Sequence, residues 1–364
     1  MPGNGSNETR RGSAMTRVPP LYCPIPEAIR PGVDVIAEKS SAWMRGFEAF
    51  TGNGGEDYCA ATVAYADFAA RMAPNAPEYL AQLYADYTCW TAMFDDLRCD
   101  TGPWKTEPGR FVPLACKFLL ILQNPHVPPL DDDPVGAALH DIAQRGRTVA
   151  PPIQWQRFID AFRIWMMAIA WHISAENKDI PRTEEYLAMR LGSIAGRMYF
   201  SFYELGLTDP VSEIEMDSPA VMALTDMAVA LCVFVNDMYS YTKEKELEQT
   251  GQSLPAVLMH HNGMTAQEAF AQIAAFHDRL MTRFVQLRDR TARTASPALR
   301  AYLVRLGYFV RGNLDWSMRT PRYVGFDTDL RPETLAAQIT DRPCDITPGP
   351  IPVAAWRWWW DDLA

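Results

Sequence analysis

Two clusters of oxygen-bearing side chains in this sequence have the residue types and spacing to hold divalent metal ions. The first is Asp95-Asp96-Leu97-Arg98-Cys99-Asp100, which closes the apolar, aromatic stretch YLAQLYADYTCWTAMF. Carboxylates are hard oxygen ligands suited to Mg²⁺. Asp96 and Asp100 are four apart and share a helix face, while Asp95 is offset toward the neighbouring groove. Taken alone, the cluster reads equally as a solvated helix end, although acidic groups there oppose the helix dipole. The second cluster lies in LCVFVNDMYSYTKEKE, where Asn236, Ser240 and Glu244 fall at i, i+4 and i+8 after a strongly apolar run. A drift of about 40° per four residues keeps the three on one face. An amide oxygen, a hydroxyl and a carboxylate form an oxygen cage for a second Mg²⁺ site. The plain alternative is a polar exposed stripe. Each set, however, follows a buried-looking helix, so the two can face one another across a bundle core.

The elements that must position these groups are helices. Apolar residues recur at helical spacing over 33–51, 57–72, 77–98, 108–122, 134–147, 153–176, 183–205, 218–246, 265–291 and 297–318. Gly/Pro/Asp clusters divide them, as at 52–55, 124–134 and 151–153. Strand-like alternation is almost absent, so the expected fold is all-α, a single-domain helical bundle. Residues 1–20 read as a disordered tail, 21–326 as the helical domain, and 327–364 as a Pro/Trp-rich C-terminal extension. Its cluster of Trp356, Trp358, Trp359 and Trp360 is expected to fold back on the body, because exposed indole clusters are a liability.

Composition narrows the partners. The formal net charge of −10 argues against a nucleic-acid or anionic-membrane binder, which recruits basic patches. An anionic substrate would therefore need bridging cations. The seven cysteines are scattered and show no CxxC spacing, so neither a disulfide framework nor a zinc site is suggested. The first twenty residues lack the apolar stretch of a secretory signal, and no uninterrupted run of about 18 apolar residues appears. The expectation is a soluble, cytoplasmic protein without membrane insertion, and a homodimer is compatible with it.

Together these residues resemble the bacterial class I terpene synthases, in which an aspartate-rich motif and an Asn/Ser/Glu triad hold three Mg²⁺ around a substrate diphosphate. The likeness covers roughly residues 21–326. It implies the class I terpenoid synthase bundle with a central active-site cavity, and a lyase that ionises an acyclic prenyl diphosphate, releases diphosphate and steers the carbocation. The first motif carries one residue more than the commonest DDxxD form, so which of Asp95, Asp96 and Asp100 touch metal stays open. Arg190 lies 46 residues before Asn236 and matches the family's diphosphate-sensing arginine. Arg322 and Tyr323 match its Arg-Tyr pair, and Lys243 matches a frequent diphosphate ligand. A departing diphosphate needs such cationic and hydrogen-bonding partners, and Arg offers a fixed fork for its oxygens.

Trp316 stands where the family places an aromatic facing the cation, and ring faces stabilise cations electrostatically. Trp90 and Phe94 are weaker candidates for the same role, with core packing as the plainer one. Gly192 and Gly196, inside a helical pattern, imply either a helix break, with backbone carbonyls near Ser193 and Ile194 facing substrate, or close small-residue packing. Short stretches such as LYCPIP, NDMYSYTKE, SLPAVL and RGNLDW resemble the 2-methylisoborneol synthases, which implies 2-methylgeranyl diphosphate and final capture of water. A cyclase for farnesyl or geranylgeranyl diphosphate is the alternative. A chain-elongating prenyltransferase would carry a second aspartate-rich motif where Asn236, Ser240 and Glu244 stand. A non-catalytic scaffold binding a partner through its Trp-rich C-terminus would need no metal ligands.

Overall fold

The computed structural model describes residues 17–47, 55–100, 104, 107–175, 179–206, 209–246, 253–324 and 338–363. The chain is built from α-helices: α1 (Val33–Met44), α2 (Gly55–Met72), α3 (Glu78–Phe94), α4 (Pro108–Gln123), α5 (Pro134–Val149), α6 (Pro152–Ala175), α7 (Thr183–Ser193) and α8 (Gly196–Phe202) form its first half. The second half holds α9 (Glu213–Met216), α10 (Pro219–Glu246), α11 (Leu254–Asn262), α12 (Ala266–Thr291), α13 (Pro297–Ser317) and α14 (Pro321–Val324). Starts and stops follow local chemistry. Thr265 and Glu268 close a reciprocal capping box on α12, and Ser296 caps α13 just before Pro297. Gly263, at φ 65°, ends α11 in the left-handed region.

The long helix α10 forms the middle of the bundle and packs against α7, α8, α11, α12 and α13. Its stretch Pro219–Tyr241 is long and apolar enough to cross a bilayer, yet 78% of it is buried inside the protein, as befits a central core helix. On the other side, α3 packs between α1, α2 and α5. Trp90 and Phe94 on α3 are fully buried and stack on each other, and Trp90 Nε1 donates to Val135 O at 2.9 Å. Both are core residues, each burial being worth about 1.5–3 kcal/mol.

The segment expected as one helix over 183–205 is two. It breaks between Ser193 and Gly196, with Ala195 in the left-handed region at φ 65°. The two glycines sit at close approaches rather than at the strained residue. A Cβ on Gly192 would come within 2.5 Å of Ala168 Cβ, and one on Gly196 within 3.0 Å of Val229.

Extended pieces join the two ends of the chain. β1 (Leu21–Tyr22) pairs in parallel with β2 (Ile339–Thr340). Asp278 on α12 accepts from Tyr22 N at 2.9 Å and Cys344 N at 2.8 Å, so one buried carboxylate fastens both segments. The tail expected over 1–20 lies outside the described residues up to Arg17, and Arg17 itself exchanges hydrogen bonds with Gln267. Trp356 and Trp359 are buried and stacked, with Trp356 beside Phe234 of α10, so the tryptophan cluster does fold back.

Candidate active site

The acidic segment Asp95–Asp100 continues α3 as a single turn of π-helix rather than as the α-helical end that the spacing suggested. Such wide turns occur mostly at functional sites. The turn carries Asp95 and Asp96 to a cleft whose opposite side is the C-terminal half of α10. The Asp100 side chain lies outside the described residues. Asp95, Asn236, Ser240 and Glu244 line one polar cleft of about 100 Å³, together with Arg190, Lys243, Arg322 and Tyr323. His172 of α6 and Cys99 also reach it.

Charge pairing crosses this cleft. Arg322 Nη1 donates to Asp96 Oδ2 at 2.8 Å and Nη2 to Asp95 Oδ2 at 3.3 Å. Lys243 Nζ stands 3.8 Å from Asp96 Oδ1. Burial works against the charge on Arg322, but Asp96, Tyr65 and Asp95 outweigh it and hold its pKa well above the ordinary guanidinium value. Burial pushes the Tyr65 phenol up to about 12, so it stays protonated beside the Arg322 guanidinium. On the α10 side, Ser240 Oγ donates to Glu244 Oε1 at 2.6 Å, and the Asn236 amide donates to Tyr323 Oη.

Arg190, from the last turn of α7, ties the site to the core. Its Nη2 donates to Asn236 Oδ1, and its Nε to Asp237 Oδ1 at 2.9 Å. The other Asp237 oxygen accepts from Tyr186 Oη at 2.6 Å and from Leu254 N at 2.9 Å. Burial opposes the Arg190 charge, and Asp237, Tyr186 and Glu244 together raise its pKa nonetheless. Asp237 is fully buried. Sequence reasoning passed over it, although a carboxylate inside so apolar a helix demands a buried cation.

An aromatic cavity of about 180 Å³ adjoins the cleft and shares Asp95, Arg190, Asn236 and Arg322 with it. Phe68, Tyr199, Phe309 and Trp316 are among its walls. Trp316 is held in place: its Nε1 donates to Ala64 O at 2.7 Å, and its ring meets Phe68 and Tyr323 edge-on at 5.1 and 5.5 Å. Trp90 and Phe94 do not line the cavity. Ser193 borders both spaces, but its carbonyl accepts from Trp165 Nε1 at 3.2 Å. Asn313, in the cavity wall, keeps its Oδ1 buried without a donor. Such an orphan costs about 1–3 kcal/mol, and nothing in the residue pattern marks it.

The donor set suits hard cations. Among the described residues no group of three or more His, Cys, Asp or Glu side chains is arranged to hold a metal ion by itself. The oxygens are instead a mixed set of carboxylate, amide and hydroxyl, as Mg²⁺ accepts. Guanidinium, ammonium and phenol groups around them suit a phosphate ligand.

Comparison with known proteins agrees with this geometry. Residues 86–283, just over half of the chain, match the model for terpene synthase family 2, C-terminal metal binding. Spiroviolene synthase of Streptomyces violens is 34% identical over 95% of this chain and 97% of its own length. Diterpene cyclase DtcycA of a Streptomyces species is 28% identical over 95% of this chain and 96% of its own. The crystal structure of SVS_A2, a protein from ancestral sequence reconstruction, superposes with a TM-score of 0.82 at 34% identity, covering 95% of this chain and 99% of that one. A helical bundle with a mixed oxygen cage over an aromatic cavity, matched along nearly its whole length, belongs to terpene synthase family 2: the chain is a class I terpene synthase of the bacterial type.

Proposed function

We propose that this synthase is a diterpene cyclase: it ionises geranylgeranyl diphosphate with three Mg²⁺ and cyclises the C20 cation. The observation that carries the reading is the polar cleft lined by Asp95, Asn236, Ser240 and Glu244, with Asp96 paired to its Arg322, adjoining an aromatic cavity. The full-length likeness to a diterpene cyclase supports the chain length.

Bound Mg²⁺ supplies charge neutralisation for the leaving diphosphate. Asp95, Asp96, Asn236, Ser240 and Glu244 would hold it, with Asp100 a further candidate ligand. Arg190, Lys243, Arg322 and Tyr323 bind the diphosphate oxygens and stabilise negative charge as the C–O bond breaks. Arg322 and Lys243 pair with Asp96 in the structure, which holds their donors at the cleft where the diphosphate would bind. Arg190 stays fixed by Asp237. The aromatic cavity takes the hydrocarbon chain and excludes water from the allylic cation. Trp316 contributes a ring face to that cation.

The narrower likeness to 2-methylisoborneol synthases rests on short stretches, whereas the relatives named above match nearly the whole chain. The test is separate incubation with geranyl, 2-methylgeranyl, farnesyl and geranylgeranyl diphosphates plus Mg²⁺, followed by gas chromatography. The C20 substrate is expected to give the dominant cyclic product. Preference for farnesyl or 2-methylgeranyl diphosphate would overturn the chain length. Turnover that survives chelation of divalent metal would overturn the metal role.

A further inference from the structure

The aromatic cavity takes charged groups from the polar cleft it adjoins, whereas Asn313 lines the cavity and not the cleft. Phe309, Asn313 and Trp316 occupy i, i+4 and i+7 on α13 and form one strip of cavity wall. Several other polar groups there are bonded to backbone carbonyls. Thr88 Oγ1 donates to Tyr84 O at 2.8 Å, Thr91 Oγ1 to Tyr87 O at 2.7 Å, and Trp316 Nε1 to Ala64 O. Ser193 Oγ also lacks a partner, but it stands where the cavity meets the polar cleft. Asn313 belongs to the aromatic cavity, is 7% exposed, and its Oδ1 meets no donor.

A prenyl chain carries no hydrogen-bond donor, so substrate binding leaves that oxygen unmet. An ordered water needs two to four polar partners, and the neighbours of Asn313 along its strip are Phe309 and Trp316. What the reaction does bring into this space is positive charge. An amide carbonyl is a dipole whose oxygen carries partial negative charge, and its attraction for a cation is strong where water is excluded. No donor holds the Asn313 oxygen, so no hydrogen bond to it has to break for it to turn toward that charge.

We propose that Asn313 is a specificity-determining residue of the cyclisation, its amide oxygen holding the positive charge of the rearranging carbocation at the α13 wall beside Trp316. No bond forms or breaks at the amide. The role rests on the assignment of this cavity to the hydrocarbon chain. It biases which cation is longest lived, and hence which proton is lost at the end.

The test uses Asn313→Ala and Asn313→Leu, which both remove the dipole but bracket the side chain in volume. Each is assayed with geranylgeranyl diphosphate and Mg²⁺ for diphosphate release and for product composition, in water enriched in ¹⁸O. Diphosphate release is expected to fall by less than about fivefold, while both variants lose most of the wild-type product to the same earlier-stage hydrocarbon. Products that diverge with side-chain size would assign Asn313 to cavity shape and overturn the proposal. So would an unchanged profile, or ¹⁸O present in the wild-type product and lost in both variants, which would make the amide a water holder. Wild-type protein that releases no diphosphate from any of the four prenyl diphosphates would overturn the substrate reading itself, and the Asn313 role with it.

Discussion

Replacing Asp237 by Asn tests whether the buried carboxylate behind the site holds Arg190 in place. Its two oxygens take three donors: Arg190 Nε at 2.9 Å, Tyr186 Oη at 2.6 Å and Leu254 N at 2.9 Å. An asparagine keeps one of those oxygens and turns an NH₂ toward the rest. If the oxygen stays with Arg190, Leu254 N–H faces another donor, at a cost of about 1–3 kcal/mol. In either orientation Arg190, 12% exposed at its side chain, keeps a charge without its counter-charge. Breaking a buried pair by removing one partner costs about 3–5 kcal/mol. Urea denaturation should therefore show Asp237→Asn less stable by roughly that amount. Displacing Arg190 by an ångström should also lower kcat about 100-fold, with a smaller effect on KM. The double variant Asp237→Asn/Arg190→Met should recover at least about 2 kcal/mol relative to the sum of the single changes, because it leaves no buried charge, while activity stays lost. Two results would refute the reasoning: stability within 1 kcal/mol of wild type in the single variant, or additive losses in the double one.

Asn236→Ala and Glu244→Ala are each expected to abolish diphosphate release while leaving the helical circular dichroism intact, since each removes an oxygen from the metal cage; activity near wild type in either would remove that residue from the ligand set. Trp316→Leu should preserve diphosphate release but divert product toward early-quenched acyclic alcohols or alkenes, because a cation–π contact in a desolvated pocket is worth about 2 kcal/mol, enough to redirect a cation yet small beside metal-driven ionisation. Gas chromatography reads the shift, and an unchanged profile would make Trp316 ordinary core. Acid should loosen the chain ends through Asp278. Burial raises its pKa, but the bond to His277 and the N–H groups of Cys344 and Tyr22 outweigh this and hold it below the usual carboxylate value. A depressed folded pKa gives stabilisation that is present above about pH 4, the unfolded value, and lost as pH falls through the folded one. Hydrogen exchange at residues 21–25 and 339–345 should therefore accelerate selectively below about pH 4, and uniform acceleration across α10 would contradict the role.

Most helices were legible because their ends carry local signals, such as Thr265 with Glu268 and Ser296 with Pro297. The helix α11 was missed although SLPAVL was noticed: nine residues between Ser253 and Gly263 leave too little periodicity to read. At 192–196 there is both a break and close packing, but the Ser193 carbonyl is taken by Trp165 Nε1. The strain falls on Ala195, which composition does not mark. The π turn at Asp95–Asp100 was invisible because hydrogen-bond register is not written in residue type. Asn236 was named from its spacing and Arg190 from the family resemblance, and the structure brings them into a hydrogen bond. Asp237 and Asn313 were missed for a shared reason. Each acquires its meaning from what it faces, a cation on α7 in one case and an aromatic cavity in the other.

The pairing of β1 with β2 has a bearing on how the protein is made. Leu21 emerges from the ribosome long before Ile339, and roughly 320 residues of synthesis at ~5–20 residues per second put on the order of tens of seconds between them. For most of that interval the apolar stretch around Leu21, Cys23 and Ile25 waits for partners that emerge late. Ile25 O awaits Arg311, Tyr22 N awaits Asp278, and Leu21 N awaits Gln338 O. The helices can nucleate in order as they appear, but the N-terminal segment docks only after α12 and α13 are complete. A nascent chain arrested before residue 278 should thus carry residues 21–25 accessible to protease or chaperone, and a full-length one should protect them.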